Sequence, residues 1–422
     1  MTDSPTELVT PLSGPSRLKI TDLRVATLTG VPFRSTIVRI DTDQGVSGYG
    51  EVRDQASASY ALLLKSRLLG ENPCNVEKLF RKIRQFGHHG RQGGGISGIE
   101  MALMDLAGKA HGVPVHALLG GTYRDRVLCY ADTETDADPK IAGSRLRERR
   151  DAGFRFLKLD LGIDLLRDVP GALIVPDHAG LPSGAMHTLA GIQVTESGVE
   201  YLARYLAEVR SIVGDDIPLA IDHFGPVSLD SAIRIGRALE SCTPAWVEDM
   251  LPWQLTDQWR QLTAAIAVPT CTGEDICLHE NFRPLLEQGA VRVIHPDPAT
   301  AGGIAETKRI GDLAEEYGVP MALHLAATPI ATMAAVHAAA ATRNFLALEF
   351  HAVAVPGWSG LVTGLPEPLV QDGCITVPDT PGLGFTGIDE EAFRSRLDPA
   401  GTGLFAPTDV WDGEQSNDRL WG

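Results

Sequence analysis

Hydrophobic and polar positions follow two different rhythms along this chain of 422 residues. From Leu18 to about Glu51, apolar and polar residues alternate, which predicts strands, the last two joined through Asp-Gln-Gly. Residues 58–120 instead follow the period of a helix, with a glycine-rich break at GHHGRQGGG. Strands and helices in separate blocks predict an α+β capping domain over residues 18–125.

From residue 126 to 351 the pattern changes to short apolar runs that alternate with amphipathic helices. This alternation, and the length of the region, predict an α/β fold of the TIM-barrel type, with parallel strands. The eight predicted strands are RVLCYAD, FRFLKLDLG, IPLAIDHFG, PAWVEDM, VPTCTGED, VRVIHPD, VPMALHL and FLALEFH.

Three segments fall outside this repeat. Residues 1–17 are polar and contain prolines, which predicts a disordered leader. An insertion at about 162–197 follows the second barrel strand, where long loops are often lids or subunit contacts, and we expect a homo-oligomer. Residues 352–422 are rich in proline and glycine, and we expect this C-terminal segment to return to the capping domain.

Composition narrows the class of partner. The chain is 44% hydrophobic and 22% charged, which is typical of a soluble globular protein, and its formal net charge is −17. This charge argues against nucleic acid or an anionic membrane as the main partner, but a bound cation would still allow a small anionic substrate. The six scattered cysteines predict reduced thiols and a cytoplasmic location.

Ionisable residues recur at the ends of successive predicted barrel strands, roughly every 25 residues. One βα unit has about this length, so the residues should stand at the same height, at the mouth formed by the carboxyl ends of the strands. The members of this series are Asp222, Glu248, Glu274, Asp297, His324 and Glu349.

Asp222, Glu248 and Glu274 come from three adjacent strands. Three neighbouring carboxylates cannot all stay ionised without a counter-charge, because their repulsion raises their pKa values. Oxygen ligands with room for water and substrate favour Mg²⁺. The structural alternative is that each acid caps the helix after its strand.

Two further groups belong to this pocket. Lys158 and Asp160 share one face of a strand, so they form either a structural ion pair or a site in which Lys158 clamps a substrate carboxylate. His324 follows Asp297 by one unit. An acid beside a histidine orients the ring and favours its protonated form, which indicates a general acid/base.

Four residues near the mouth are candidate substrate contacts. Arg34 and Arg53 lie in cap segments that should close over the substrate, although surface salt bridges are an equal alternative. His223 follows Asp222 directly, and His351 ends the eighth predicted strand.

The ordered ligands, the segment GISGIEMALMDLAGKAHGVPVHALLGG and the segment DGCITVPDTPGLGF together resemble the enolase superfamily and its mandelate racemase-like subgroup. The resemblance spans about Leu18 to Phe393. It implies a (β/α)₇β modified TIM barrel with a cap made from both ends of the chain. It also implies Mg²⁺ on the three acids, a His324–Asp297 acid/base dyad, and Glu349 as a protonated donor to an enolate oxygen.

The resemblance further implies that Lys158 matches the first lysine of the subgroup's K-x-K motif and contacts the substrate carboxylate. Asp160 stands where the second, proton-abstracting lysine is expected. Racemisation needs a base on each face, and Asp160 beside a charged lysine should be a poor base. We therefore expect proton abstraction alpha to a carboxylate followed by dehydration of a sugar acid to a 2-keto-3-deoxy acid.

Three alternatives remain at this stage. A racemase, epimerase or cycloisomerase could use the same scaffold, although Asp297 argues against the muconate-lactonizing branch, which places a lysine near the sixth strand. A non-catalytic metal-binding relative is a different class, which the acid/base dyad opposes. An unrelated Mg²⁺ barrel would lack the cap segments.

Overall fold

The computed structural model describes residues 15–88, 90–175, 192–222 and 227–415. Its N-terminal part is a three-stranded antiparallel sheet in the order β1-β2-β3, covered by helices. Most buried apolar residues of this part form one hydrophobic cluster, which Cys277 and Leu278 of the barrel region join, whereas Ile37 and Met101 belong to the cluster of the barrel. The elements are β1 Ile20–Leu28, β2 Ser35–Thr42, β3 Ser47–Val52, α1 Ser59–Leu62, α2 Val76–Ile83, α3 Gly94–His111 and α4 Val115–Leu118.

Glycines let β3 lie directly against α3. A Cβ atom on Gly50 would stand 1.9 Å from the carbonyl oxygen of Gly98, and one on Gly98 would stand 2.9 Å from that of Glu51. No side chain fits between these backbones, so the strand is held tightly on the helix. This contact fixes the residues at the end of β3, which point toward the barrel.

The second part is a closed barrel of eight parallel strands. Their order is β4-β5-β8-β9-β10-β11-β12-β13, and β13 pairs with β4 to close the barrel. All eight predicted strands are confirmed. The strands of this region, including a small hairpin of β6 and β7, are β4 Arg126–Thr133, β5 Leu157–Asp160, β6 Leu173–Ile174, β7 Gln193–Val194, β8 Leu219–Asp222, β9 Val247–Glu248, β10 Thr270–Thr272, β11 Val293–Ile294, β12 Met321–Leu323 and β13 Phe345–Phe350.

Helices follow the first seven barrel strands, and β13 leads into the C-terminal segment, which confirms the (β/α)₇β architecture. The apolar helix α12 is buried along its whole length, as its small residues predicted. Among the described residues, none of the helices has the length and apolar character needed to cross a membrane. The helices are α5 Pro139–Asp151, α6 Glu196–Val213, α7 Leu229–Leu239, α8 Thr256–Ala265, α9 His279–Glu287, α10 Pro298–Ala301, α11 Ile304–Glu316 and α12 Pro329–Ala341.

The C-terminal segment contacts both parts. The hairpin of β15 and β16 adds to the start of β4, and the later residues reach the cap, where Thr408 Oγ1 donates to the Leu23 carbonyl at 2.6 Å. Lys65 Nζ, buried in the cap, lies 2.5 Å from Asp412 Oδ1. The elements are β14 Val362–Thr363, β15 Val370–Gln371, β16 Cys374–Thr376, β17 Gly387–Ile388 and α13 Glu390–Ser395.

Some predicted segments lie partly outside the described residues. Of the leader predicted over 1–17, the structure describes Pro15–Arg17, a short 3₁₀ helix. Of the insertion predicted over 162–197, it describes the flanks, which include β6 and β7. The division at residues 17, 125 and 351 stays a prediction. All six cysteines are free thiols.

Candidate active site

Three carboxylates meet at the mouth of the barrel. Asp222 ends β8, Glu248 ends β9, and Glu274 lies just beyond β10. One oxygen atom from each carboxylate lies within 4.8 Å of the other two. Asp222 and Glu248 are buried, and the side chain of Glu274 is 13% exposed. The regular spacing in the sequence therefore does bring these acids together.

The helix-cap alternative does not hold for these three acids. The helices after β8, β9 and β10 have Ser228, Leu255 and Leu278 at their N-cap positions. Asp297 does act as a cap, because its Oδ1 accepts from the Ala299 N–H at 2.5 Å at the start of α10. Its second oxygen remains available for other contacts.

Lys158 places a positive charge within the carboxylate cluster. Its Nζ lies 2.6 Å from Asp222 Oδ2, 3.1 Å from Glu248 Oε1 and 2.8 Å from Glu349 Oε1. Burial alone would lower the pKa of Lys158, but these carboxylates outweigh it and hold the pKa well above its ordinary value. Among the described residues, the ion pairs of Lys158 go to these acids rather than to Asp160.

Glu248 is held from below by residues that the sequence did not single out. Trp246 Nε1 donates to Glu248 Oε2 at 2.7 Å, and His295 Nδ1 lies 2.8 Å from Glu248 Oε1. The other ring nitrogen of His295 contacts the Tyr130 hydroxyl. The sequence signal was the histidine in VIHPD, two positions before Asp297, the residue of that strand in the register that we followed.

His324 and Asp297 form the predicted dyad. His324 Nδ1 lies 2.6 Å from Asp297 Oδ2, which leaves Nε2 facing Glu274 Oε2 at 3.2 Å and Glu349 Oε2 at 3.7 Å. Burial lowers the pKa of His324 to about 3, and the charge of Arg53 acts in the same direction. The expectation that Asp297 would favour the protonated ring is therefore not met in this arrangement. A neutral ring with Nε2 toward the pocket is suited to accept a proton.

Arg53 extends from the end of β3 into the barrel mouth and is 2% exposed. Its Nη1 contacts Asp297 Oδ2 and lies 2.7 Å from His324 Nδ1, and its Nη2 donates to Glu274 Oε1 at 3.0 Å. Sequence reasoning placed Arg53 near the substrate. The structure adds that it links the cap to the dyad and to one of the three acids.

Glu349 and His351 form the wall next to Lys158. Burial alone would raise the pKa of Glu349, but the charges of Lys158 and of His351 hold it well below its ordinary value. This corrects the expectation of a protonated Glu349, because Lys158 and His351 are neighbouring cations. Leu325 N donates to Glu349 Oε2 at 3.2 Å.

Three predicted site residues are placed differently. Arg34 is a surface residue whose Nε lies 2.6 Å from Asp398 Oδ2, so the salt-bridge alternative describes its contacts. Asp160 pairs in register with Asp222 across β5 and β8. His223 lies outside the described residues.

Comparison with known proteins places this geometry in a family. Residues 142–392 match the family described as enolase C-terminal domain-like, which is more than half of the chain. Residues 15–120 match the mandelate racemase/muconate lactonizing enzyme N-terminal domain. The chain belongs to the mandelate racemase/muconate lactonizing enzyme family of the enolase superfamily. The resemblance noted in the sequence is thereby confirmed.

Relatives that are named as sugar-acid dehydratases are similar to this chain over most of its length. A D-xylonate dehydratase from Haloferax volcanii is 32% identical over 401 residues, which cover 93% of this chain and 92% of that protein. A D-galactonate dehydratase from Ralstonia pickettii is 28% identical over 387 residues, which cover 88% of this chain and 93% of that protein. A solved mandelate racemase/muconate lactonizing enzyme-like protein from Rubrobacter xylanophilus has a TM-score of 0.80 and 32% identity, and the match covers 92% of this chain and 99% of that chain.

Members of the enolase superfamily are metal-dependent, and the acids of this member fit a metal ion. Glu274 Oε2 is buried and completes no hydrogen bond within the described part of the chain. A buried carboxylate oxygen without a donor is the group that a cation would satisfy. The all-oxygen donor set of Asp222, Glu248 and Glu274 is suited to a hard divalent cation.

Proposed function

We propose that this protein is a sugar-acid dehydratase that removes the proton alpha to a carboxylate and eliminates a hydroxyl group to give a 2-keto-3-deoxy acid. One observation carries the proposal. A histidine–aspartate dyad, a buried lysine and three clustered carboxylates converge on one mouth, in a chain whose similar relatives include D-xylonate and D-galactonate dehydratases.

We propose Mg²⁺ as the metal and Asp222, Glu248 and Glu274 as its ligands. When bound, the ion would act as a Lewis acid and lower the free energy of the enolate that forms from the substrate carboxylate. Trp246 and His295 hold Glu248 in place, which is the kind of support that tunes ligand geometry.

The residues around this cluster would bind the substrate, remove its proton and stabilise the enolate. Lys158 and Arg53 both supply buried positive charge to the pocket, and this charge would attract the carboxylate of the substrate. His324 Nε2 would accept the proton from C2, while Asp297 and Arg53 hold the other side of the ring. Glu349 would contact the developing enolate oxygen through a shared proton or through Lys158.

Elimination suits this pocket better than racemisation. Racemisation needs a second base on the opposite face of C2, where the subgroup has a lysine and this chain has Asp160. A carboxylate is a weaker base than a lysine amine, so it removes a weakly acidic carbon-bound proton less well. We retain Asp160 as a wall residue of the pocket and Arg34 as a contact at its outer edge.

The test is a panel of mono- and diacid sugars, including D-xylonate and D-galactonate, incubated with the purified protein and Mg²⁺. Formation of a 2-keto acid is followed by the absorbance of its semicarbazone. In D₂O, dehydration gives product with deuterium at C3, whereas a racemase or epimerase incorporates deuterium at C2 without losing a hydroxyl group. Exchange without dehydration on every sugar acid would contradict the proposal.

Two broader expectations belong to the same proposal. Six free thiols are consistent with a reducing compartment, and we propose a cytoplasmic location. We also propose a homo-oligomer, which light scattering of the purified protein would test.

A further inference from the structure

A second histidine lies beside the dyad, at the end of the neighbouring barrel strand. His351 stands two positions after Glu349, just beyond β13, which pairs with β12. One nitrogen of His351, one nitrogen of His324 and one oxygen of Glu349 all lie within 4.8 Å of one another. The centroids of the two imidazole rings are 6.2 Å apart. Two rings at this separation can each serve one of two neighbouring carbon atoms of a single substrate.

His351 is held between two carboxylates. Its Nδ1 lies 3.2 Å from Asp132 Oδ2 at the end of β4, and its Nε2 lies 3.2 Å from Glu349 Oε1. The ring of Phe33, from the cap, makes an edge contact with it at 5.8 Å between centroids. The side chain of His351 is 17% exposed. The ring is therefore oriented by the barrel and covered in part by the cap.

The charges around His351 favour the imidazolium ion. Burial and the charge of Lys158 lower its pKa, but Asp132 and Glu349 outweigh them and raise the pKa to about 9. The titratable groups that face the ring are thus Asp132, Glu349, Lys158 and the neighbouring His324. At neutral pH His351 carries a proton on each nitrogen.

The Nε2 proton of His351 is available to a substrate. Nε2 lies 3.2 Å from Glu349 Oε1 in an ion pair, but the two atoms are poorly aligned for a hydrogen bond. Buried polar groups in native proteins normally have a partner. A donor that is poorly aligned on its neighbouring carboxylate, at the mouth of the pocket, can donate its proton to a group of the substrate instead.

We propose that His351 is the general acid that protonates the hydroxyl group leaving from C3 of the sugar acid. This inference rests on the proposed dehydration. Hydroxide is a poor leaving group, and a positioned general acid typically contributes about 10²–10⁴-fold to such a step. The assignment separates two roles: His324 removes the C2 proton, and His351 supplies a different proton to the departing oxygen.

The proposed elimination begins with removal of the proton at C2. His324 Nε2 takes the C2 proton, and the C–H electron pair becomes the enolate. That pair then forms the C2–C3 double bond as the C3–O bond breaks. The oxygen keeps the electrons of the broken bond, takes the proton from His351 Nε2 and leaves as water. The resulting enol becomes the 2-keto acid when C3 takes a proton from His324 and the enol O–H gives its proton to solvent, and His351 regains its proton from solvent.

The experiment compares wild type with His351→Asn and His351→Gln, using D-xylonate and D-galactonate with Mg²⁺ in D₂O. We expect both variants to lose dehydration by about 10²–10⁴-fold. We expect them to keep exchange of the C2 proton for deuterium in recovered substrate, because His324 is intact. Equal loss of exchange and dehydration in folded variants would overturn the assignment, and so would undiminished dehydration.

A change of leaving group gives an independent test. Fluoride needs much less help from an acid than hydroxide, so the 3-deoxy-3-fluoro analogues of both substrates should release fluoride from His351→Asn within about tenfold of the wild-type rate. The pH dependence of the wild-type enzyme also tests the role of His351. As the pH rises above about 9, His351 loses its proton, so dehydration should decline while fluoride release does not. Parallel decline of both would contradict the proposal even if the variants do not fold.

Controls separate this inference from the function on which it rests. Thermal unfolding checks that each variant is folded, and His111→Asn, at the exposed end of α3, should match wild type. If wild type neither dehydrates nor exchanges any sugar acid, the proposed function fails, and the role of His351 fails with it. If wild type dehydrates and the His351 variants do so equally, the role of His351 alone fails.

Discussion

Arg53 shows how one side chain of the cap takes part in the chemistry of the barrel. It contacts Asp297, His324 and Glu274, which lie on three different barrel units. Arg53→Met should leave the buried carboxylates of Asp297 and Glu274 without a neighbouring cation. It should also shift the position of the His324 ring. We expect kcat to fall by at least about 100-fold, with a smaller change in KM, because the loss is one of orientation.

The control for this prediction is Arg81→Met. Arg81 is exposed and pairs with Glu77 on the surface of α2, so the same substitution should leave the rate unchanged. Arg53→Lys should recover part of the activity, since it restores charge without the planar fork of the guanidinium. Steady-state kinetics and circular dichroism give the result, and an Arg53→Met enzyme with unchanged kcat would disprove the role.

Lys158 shows that the sequence predicts the direction of a side chain but not its partners. The two-residue repeat of a strand correctly put its side chain inside the barrel. It did not identify Asp222, Glu248 and Glu349 as its ion-pair partners, because each belongs to a different strand. Neighbours across a barrel depend on its closure and register, which local sequence does not contain.

At the scale of elements, Glu51 joins the end of β3 to the start of α12. Its carboxylate accepts hydrogen bonds from the Thr328 N–H at 3.0 Å, the Thr328 hydroxyl at 2.6 Å and the Ala331 N–H at 3.2 Å. Glu51→Leu should lower the free energy of unfolding by about 3 kcal/mol, because several buried donors lose their acceptor. Urea unfolding measures this change.

The matched control is Glu71→Leu, since Glu71 pairs with Lys78 and Lys82 on the surface of the cap. That substitution should change stability by less than about 0.5 kcal/mol. Equal effects of the two substitutions would show that the contact between Glu51 and α12 contributes little.

The packing of α12 on α4 carries a second, pH-dependent prediction. His337 in α12 is fully buried, and its ring stacks on that of His116 with centroids 5.4 Å apart. Burial, and then His116, lower the pKa of His337 to about 3. The unfolded chain takes up this proton below pH 6.5 and the folded protein does not, so stability is full above pH 6.5 and falls as the pH drops toward 3.

His337→Asn should weaken this dependence. Between pH 6.5 and pH 5, wild type should lose about 2 kcal/mol more unfolding free energy than the variant. Urea unfolding at a series of pH values makes the comparison. Identical pH profiles for the two proteins would rule out His337 as the source.

At the scale of the whole molecule, the metal proposal links the site to global stability. An ion that binds the folded protein alone stabilises it by RT ln(1 + [L]/Kd), about 2.7 kcal/mol at 100 times Kd. We therefore expect EDTA to lower Tm and added Mg²⁺ to restore it. Glu274→Gln should abolish this response, while Glu71→Gln should retain it. A Tm that does not depend on Mg²⁺ in wild type would contradict the assignment of the three acids.

The sequence alone determined the order of strands and helices, the barrel and the row of ionisable residues at the strand ends. These features are local or periodic, so they can be recognised in the chain itself. Tertiary structure decided the pairing of Lys158 with acids from other strands, the reach of Arg53 into the dyad and the neutral state of His324. It also decided that a nitrogen of His351 lies within 4.8 Å of one of His324. Ion pairing and pKa depend on distance and on the exclusion of water, and both arise only when the cap closes on the barrel.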